Sequence, residues 1–591
     1  MIALLSVFLP PFILICVRNR IFDTQLSDRK RIMHYLIAVI GLNWVMMMIL
    51  YFGFDSTGSL SDNLNNHNGF ACKYISLAVL IALAEPLTEC YIRRHMTLKV
   101  ARPSGTTFKF CYWKLCAWVY SAVLFALNFI RIFDNCFWGD EGFTIDLAQK
   151  SIPGIISGTA ADVHPPLYYL LVKIAYEIFG KQGWVFHLVS LIPCVVIIIF
   201  SMTTIWKKFG GSASVILITL ACLSANAVRN NVEVRMYSWG ALFVLLSFYS
   251  LYGILEKNRV KDYLLFGLFS LAAAYTHYYC LISVAFFYLV LLVRALVSRK
   301  ENLKKTLITC VLTVIGYLPW FFIMLRTLTA KTESYWIEEI PTFQESIQEL
   351  FSGQFPLWLW CLIAVAFIFA LLYETRIIKI EKTNKEQYGI RVDISAFHIT
   401  DRVVFLIAGI ISVIGTIGFG ITISELIRPF YLVRYIYPVS VVAWVVLCVV
   451  ISRLKGRKIY SVLLILVMCI LFIPSYKKVY LHDKSADKML TETMELTSDI
   501  KTDDVILTDQ VHIDWSLAAY YYPGVETELV NLSDVPKLDT GRIYWLILNN
   551  IKKAEDTLGQ IESQGFECET IAEKGKVGTF TVNIYKLTYE Q

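Results

Sequence analysis

Two neighbouring segments decide how this chain is arranged: HPPLYYLLVKIAYEIFG, residues 164–180, and WVFHLVSLIPCVVIIIFSMTTIW, residues 184–206. The second segment is long enough to cross the roughly 30 Å hydrocarbon core of a bilayer as a helix. Backbone groups in lipid must bond within their own segment, so it is predicted to be a spanning helix. The first segment is shorter and carries Lys173 and Glu177, so its place has to come from the topology.

Composition puts most of the chain in a membrane. Of the 591 residues, 57% are hydrophobic and 17% are charged, whereas a soluble domain is nearer half apolar and a quarter charged. The excess forms blocks of about 17–25 residues, among them 306–326, 403–424 and 432–452. The net charge of +7 comes from basic clusters in short loops, which is an orientation signal and not a nucleic-acid surface. We predict an α-helical polytopic membrane protein with about fourteen spans.

The basic loops set the orientation. Residues 18–31 and 91–113 are rich in Arg and Lys and should be cytoplasmic, whereas 55–68 contains neither and should be outside. A span at 114–133 then runs outward, and the pair Lys207–Lys208 should again be cytoplasmic.

Only one span fits between the outer loop that starts at Asp134 and that basic pair, and 184–206 supplies it. The segment 164–180 is therefore predicted to lie in the membrane interface, where its tyrosines suit the headgroup boundary.

The same alternation divides the chain into three parts. Residues 1–113 form an N-terminal unit of about three spans, residues 114–474 a transmembrane core of about eleven spans with a catalytic outer loop at 134–183, and residues 475–591 an extracytoplasmic domain. In the last part, short β-rich runs alternate with helical patterns, which predicts a small α/β domain. These runs are Val505–Thr508, Ile543–Leu548 and Thr579–Leu587, and an aromatic run, AYYYPG (519–524), is interpreted as a core element.

The outer loop DNCFWGDEGFTIDLAQ, residues 134–149, concentrates acidic side chains at the membrane surface. Adjacent carboxylates next to a low-dielectric medium, such as Asp140 and Glu141, suit proton abstraction or metal binding. Asp140 could equally cap the N-terminus of a helix over Glu141–Lys150. The two interpretations do not exclude each other.

Other ionisable side chains fall on the same side of the membrane. His164 precedes two prolines at the start of a predicted helix, where backbone N–H groups favour an anion such as phosphate. Glu233 and Arg235 open a later span, and a structural ion pair between them is as plausible as a functional site. Arg434 could bind phosphate or extend to the interface. The other candidates are His277, Arg428, Lys331, Glu333, Tyr335 and Trp336.

Six segments, taken in order, resemble the bacterial glycosyltransferase family 39 type, which is related to protein O-mannosyltransferases and to the aminoarabinose transferases of lipid A. They are WGDEGFTIDLAQ, HPPLYYLLVKIAYEIFG, EVRMYSW, YTHYY, GYLPW and RYIYP. The resemblance covers about residues 114–460 and implies the GT-C fold. It also implies inverting transfer of a sugar from a polyprenyl-phosphate carrier, undecaprenyl phosphate in a bacterial plasma membrane, to an extracytoplasmic acceptor.

The resemblance also implies roles for the candidate residues. Asp140 is the expected catalytic base, and Glu141 is its partner. The expected contacts to the carrier phosphate or the sugar are His164, Glu233, Arg235, His277 and Arg434. His164 replaces a lysine found in some relatives. No metal is predicted, although a divalent metal is possible because metal dependence varies among relatives.

The predicted partners are the lipid-linked sugar donor, the bilayer and an acceptor, which could be a protein, a glycolipid or a cell-wall polymer. The alternative is a flippase or transporter of lipid-linked sugars, which would place its charged groups near the centres of spans. A third alternative is a non-catalytic scaffold whose C-terminal domain is a binding module.

Overall fold

The computed structural model describes residues 112–589 except 163, 331–336, 338, 354, 383–387, 394–397, 428 and 454–458. Residues 1–111 of the predicted N-terminal unit therefore lie outside the described residues. The same holds for the candidates Arg428, Lys331, Glu333, Tyr335 and Trp336.

Helices make up most of the described chain between residues 112 and 496. By length and composition, seven helices of the described part could cross a membrane. They are Gly183–Phe209, Tyr237–Lys257, Tyr278–Val297, Lys300–Thr327, Asp401–Leu426, Val433–Ser452 and Val462–Leu496. The protein is therefore a multi-pass membrane protein, while the count of about eleven core spans stays a prediction. The helices are α1 (Tyr112–Phe129), α2 (Gly139–Gln149), α3 (Ile152–Ala161), α4 (Leu167–Phe179), α5 (Gly183–Phe209), α6 (Gly211–Leu223), α7 (Ala225–Asn230), α8 (Tyr237–Lys257), α9 (Val260–Ala274), α10 (Tyr278–Val297), α11 (Leu303–Ala330), α12 (Phe343–Glu349), α13 (Leu357–Glu374), α14 (Asp401–Leu426), α15 (Tyr437–Arg453) and α16 (Ile459–Leu496).

The segment 164–180 forms α4, which is too short to span. Its 13 residues extend over about 20 Å, against a bilayer core of roughly 30 Å. One face buries Tyr168 and Tyr169, while Ile174 and Ile178 on the other face are exposed. An apolar exposed face on a short helix fits the predicted position in the interface.

Two strands, β1 (Ile378–Lys382) and β2 (Tyr388–Val392), form an antiparallel hairpin in the loop between α13 and α14. The C-terminal part is an α/β domain, as predicted, with a five-stranded sheet in the order β4-β3-β5-β7-β6. β3 pairs in parallel with β4 and β5, and β7 pairs antiparallel with β5 and β6. The elements are β3 (Val505–Thr508), β4 (Glu526–Leu529), β5 (Tyr544–Leu548), α17 (Ala554–Glu562), β6 (Phe566–Val577) and β7 (Phe580–Tyr589).

The two faces of this sheet bury different partners, because side chains alternate across a strand. Ile506, Trp545 and Ile584 belong to the same apolar cluster as the helices of the transmembrane core. On the other face, Leu507 and Leu546 pack in a separate cluster. The C-terminal domain is therefore packed onto the core through one face of its sheet.

The domain also contacts the segment that leads into α2. Thr579 N donates to Phe137 O at 3.0 Å. The Tyr521 hydroxyl donates to Asn135 O at 2.7 Å and accepts from Phe137 N at 3.0 Å. A side chain at Gly139 would meet the His512 ring at 2.4 Å. The aromatic run at 519–524 thus takes part in packing, and the start of α2 lies against the C-terminal domain.

Candidate active site

The carboxylate of Asp140 lies between two guanidinium groups. Arg235 Nη2 is 3.6 Å and Arg434 Nη2 is 3.4 Å from Asp140 Oδ2. Asp140 is the second residue of α2 and Trp138 is the N-cap, so the alternative that Asp140 caps this helix is wrong. The Asp140 side chain is 24% exposed and that of Arg235 is 3% exposed. A substrate can therefore approach the carboxylate, while the cation beside it is fixed by the protein.

Arg235 is buried under α2 and bonds several groups there. Its Nη1 contacts Asp140 O at 3.2 Å, Thr144 Oγ1 at 3.5 Å and Tyr169 OH at 3.4 Å. Within the described residues, no ion pair joins Arg235 to Glu233, so the alternative of a structural pair between these two neighbours is wrong. A buried cation is tolerated only when charged or polar partners surround it, and here α2 and α4 supply them.

Glu141 connects α2 to the segment before α8. Its Oε2 accepts from Trp138 N at 3.1 Å, and its Oε1 accepts from Val234 N at 2.7 Å. Burial and, to a smaller extent, the neighbouring Glu233 raise the pKa of the Glu141 carboxyl to about 8. Glu141 is thus held by backbone donors from two elements and does not face Asp140's cations directly.

Trp138 places Glu233 and Arg434 in the same group. Its indole Nε1 donates to Glu233 Oε1 at 3.1 Å. The Arg434 guanidinium lies 5.2 Å from the Trp138 ring centroid and 5.7 Å from that of Tyr435, within the range of a cation–π contact. Burial raises the pKa of Glu233, while Arg434 and Arg235 act to lower it. The sequence singled out charged residues and missed Trp138, whose position directly before GDE was the available signal.

Two histidines form the other side of the site. The His164 and His277 rings are 5.3 Å apart, and Tyr435 lies 6.2 and 5.1 Å from them. Burial, together with the nearby charges of Arg235 and Arg434, lowers the pKa of His277 to about 3. His277 Nδ1 accepts from Tyr279 N at 3.2 Å, so the proton of the neutral ring belongs on Nε2.

His277 Nε2 is buried and has no hydrogen-bond partner among the described residues, which leaves a donor for a bound group. His164 differs from its predicted position. Pro166 is the N-cap of α4, so the prolines precede the helix and His164 lies upstream of its first turn.

The structure brings the seven candidate residues into one continuous group through the contacts given above, while the roles assigned to them stay predictions. No group of three or more His, Cys, Asp or Glu side chains within the described ranges is arranged to hold a metal ion. The seven are Asp140, Glu141, His164, Glu233, Arg235, His277 and Arg434.

A cavity of about 670 Å³ adjoins this group. It shares four residues with the site or its immediate surroundings: Trp138, Glu141, Glu233 and Arg434. Asp140, His164 and His277 are not among its lining residues. The lining residue Tyr237 contacts His277, with ring centroids 5.7 Å apart. The opposite wall comes from α7 and α16.

The pH dependence of stability should report on Glu141. Its raised pKa means that the folded protein binds the proton more tightly than the unfolded chain, whose carboxyl has the ordinary value of 4.5. This contribution to stability is complete below pH about 4.5 and is lost as pH rises through about 8, by up to about 1.4 kcal/mol per pH unit. Glu141→Gln does not titrate, so thermal unfolding of this variant should vary less with pH over that range.

The exposed Glu177 on α4 provides the control, because Glu177→Gln should keep the wild-type dependence. In the Glu141→Gln variant the amide NH₂ group faces a backbone N–H, so the variant should be less stable than the wild type at every pH. Only the change of its unfolding temperature with pH therefore tests the assignment. Parallel profiles for wild type and Glu141→Gln would contradict the assignment.

Solved structures show the same fold. The crystal structures of ArnT from Cupriavidus metallidurans, in the apo state and bound to undecaprenyl phosphate, match with TM-scores of 0.52 and 0.51 at 13% identity. The match covers 80% of this chain and 97% and 98% of the two ArnT chains. The core has the GT-C fold.

A family comparison agrees with this fold. Residues 163–321 match the family described as dolichyl-phosphate-mannose-protein mannosyltransferase. The matched stretch contains His164, Glu233, Arg235 and His277, whereas Asp140 and Arg434 lie outside it. No curated protein matches the sequence significantly. The resemblance drawn from the sequence motifs is confirmed.

Proposed function

We propose that this protein is an inverting glycosyltransferase that moves a sugar from a polyprenyl phosphate to an acceptor hydroxyl at the outer face of the membrane. The observation that carries the proposal is the accessible Asp140 carboxylate between Arg235 and Arg434, in a GT-C core. A base beside fixed cations is what such a transfer needs, because one group must take the acceptor proton and others must stabilise the departing phosphate.

In this reaction the acceptor oxygen forms a bond to the anomeric carbon from the face opposite the phosphate, so the configuration inverts. The bond between that carbon and the phosphate oxygen breaks, and its electron pair leaves with the polyprenyl phosphate. Asp140 takes the acceptor proton. Arg235 and Arg434 lie where they can stabilise the charge that develops on the phosphate. The His277 Nε2–H supplies a neutral donor beside them.

Glu141 and Glu233 have positioning roles in this proposal. Glu141 ties the first turn of α2 to Val234, and Glu233 holds the Trp138 indole. Both contacts join α2 to the segment that carries Arg235. They therefore keep the base and a phosphate-binding cation at a fixed separation, which matters because small misplacements are costly in catalysis.

The placement of these groups favours an enzyme over a flippase or transporter. Asp140 lies in the first turn of α2, Arg235 precedes α8, His277 is the N-cap of α10, and Arg434 precedes α15. They are at helix ends, whereas transporters usually hold their substrates near the midplane on interrupted helices. The charges of the loops predict that these ends, and the C-terminal domain, lie outside the cytoplasm.

Reconstitution tests the proposal. Purified full-length protein in liposomes is given undecaprenyl-phosphate-linked mannose or aminoarabinose on one side, together with a cell-envelope extract as acceptor. We expect free undecaprenyl phosphate to appear and the sugar to be found on an acceptor by mass spectrometry. Movement of the intact sugar lipid to the other leaflet without release of undecaprenyl phosphate would favour the transporter and contradict the proposal.

A further inference from the structure

Some charged side chains that line the cavity beside the candidate active site have hydrogen-bond partners within the protein, and others do not. Each carboxylate in its lining has a donor within the protein. Asp134 accepts from Cys136 N at 3.1 Å, Glu349 accepts from Asn226 Nδ2 at 2.8 Å, and Asp483 pairs with Arg131 at 2.7 Å. Glu141 and Glu233 are bonded as described above.

Two of the lining cations differ from these groups. Arg229, in the last turn of α7, and Lys478, on α16, are both exposed. Neither side chain makes a hydrogen bond or ion pair with the residues that the structure describes. Arg229 acts on Glu233 and Glu349 only as a nearby charge that lowers their pKa values. The charged groups of this lining that lack a partner among the described residues are therefore both cations.

The position of Lys478 indicates the depth of the cavity. The apolar part of α16 ends near Pro474, and Lys478 follows one turn later. A basic side chain just beyond an apolar span lies at the level of lipid headgroups. α7 packs against α16, so Arg229 and Lys478 face the same opening at that level.

We propose that this cavity is the acceptor site and that it binds an alcohol carrying a phosphate group, such as a glycerol-phosphate unit, through Arg229 and Lys478. This inference rests on the proposed transfer reaction. The cavity of about 670 Å³ has the size of a small-molecule site. A phosphate accepts hydrogen bonds and donates few, so it complements two unpaired cations, whereas a polypeptide brings donors and acceptors together.

The arrangement also assigns the acceptor and the sugar donor to different sides of Asp140. Arg434 lines the cavity on one side and contacts Asp140 at 3.4 Å on the other. The rings of His164 and His277 lie beside Tyr435. Neither histidine lines the cavity, although the His277 ring contacts that of the lining residue Tyr237 at 5.7 Å between centroids. An acceptor hydroxyl would therefore reach Asp140 past Trp138 and Arg434, while the donor occupies the side of His164 and His277.

Native mass spectrometry of the full-length protein tests this proposal with three probes: phosphatidylglycerol, phosphatidylcholine and soluble glycerol 1-phosphate. We expect phosphatidylglycerol to bind more tightly than phosphatidylcholine, and Arg229→Gln combined with Lys478→Gln to weaken it by about tenfold or more. The charge-conserving pair Arg229→Lys and Lys478→Arg should retain most of the affinity. Lys484→Gln, on the same helix but outside the cavity lining, is the matched control and should change nothing.

The probes separate the sources of the phosphate. Tight binding of phosphatidylglycerol alone assigns a lipid headgroup, whereas equal competition by glycerol 1-phosphate assigns a soluble or polymeric glycerol phosphate. The proposal is overturned if no probe prefers the wild type to the glutamine variant. Asp140→Asn should still bind phosphatidylglycerol. Its continued transfer of sugar would refute the proposed function and leave the binding site standing.

Discussion

Asp140→Asn should lower the rate of sugar transfer by about 10²–10⁴-fold, the contribution typical of a positioned general base. The amide keeps the size of the side chain but cannot take the acceptor proton. In the wild type, Arg434 and Arg235 lie 3.4 and 3.6 Å from Asp140 Oδ2. The asparagine side chain presents a single neutral oxygen to these two cations instead of a charged carboxylate. The rate is measured as release of undecaprenyl phosphate, and in cells as the loss of a sugar from envelope glycans by mass spectrometry.

The matched control is Asp146→Asn on the same helix. Asp146 pairs with Lys150 at 2.7 Å and does not contact the arginines. This variant should transfer sugar within about twofold of the wild type, since exposed ion pairs contribute little. Asp140→Asn should retain the wild-type unfolding temperature within a few degrees, so that its effect is chemical. Normal turnover by Asp140→Asn would remove Asp140 from the role of base.

The membrane helices could be predicted from the sequence because the bilayer imposes a simple rule on each segment. An apolar block must be helical and must span about 30 Å, and the basic loops then fix the direction. This reasoning predicted that 164–180 does not cross, and α4 is indeed a 13-residue helix. No knowledge of packing was needed for that step.

The C-terminal sheet was harder, because its strands depend on pairing. β4 has the sequence ETEL and is exposed at the edge of the sheet, and β6 has the sequence FECETIAEKGKV. Neither has the apolar content by which strands were recognised. β6 is held by its long antiparallel register with β7, which follows it after Gly578 and Thr579. A strand of this composition is recognised only through that pairing.

The contacts of the candidate active site were also beyond local sequence reasoning. Asp140 and Arg434 are 294 positions apart, so only the resemblance to a family placed them together. The sequence suggested that Arg235 pairs with Glu233, the nearest acidic residue along the chain. In the structure the carboxylate next to Arg235 is that of Asp140. Periodicity gives the face of a helix on which a residue lies, and it does not give distances between helices.

Gly578→Ala should be the most damaging small substitution in the C-terminal domain. Gly578 has a φ of +57°, and an added Cβ would lie 2.1 Å from the backbone oxygen of Phe137. The left-handed conformation alone costs about 1–2 kcal/mol for alanine, and the overlap with a backbone atom forces the domain and the core apart. We expect a lower midpoint of thermal unfolding and a loss of transfer approaching about 10²-fold, because Phe137 and Trp138 lead directly into Asp140.

Gly559→Ala, in α17 of the same domain, is the matched control. A Cβ there meets nothing within 4 Å, and alanine is the better helix former by about 0.5–1 kcal/mol, so stability should stay the same or rise and transfer should be unchanged. If Gly578→Ala lost stability but kept full turnover, the C-terminal domain would not be needed to hold the catalytic helix in place. A joint loss would mean that the domain holds the catalytic helix in place, because the bond from Thr579 to Phe137 and the contact of His512 with Gly139 act on the same turn that presents Asp140.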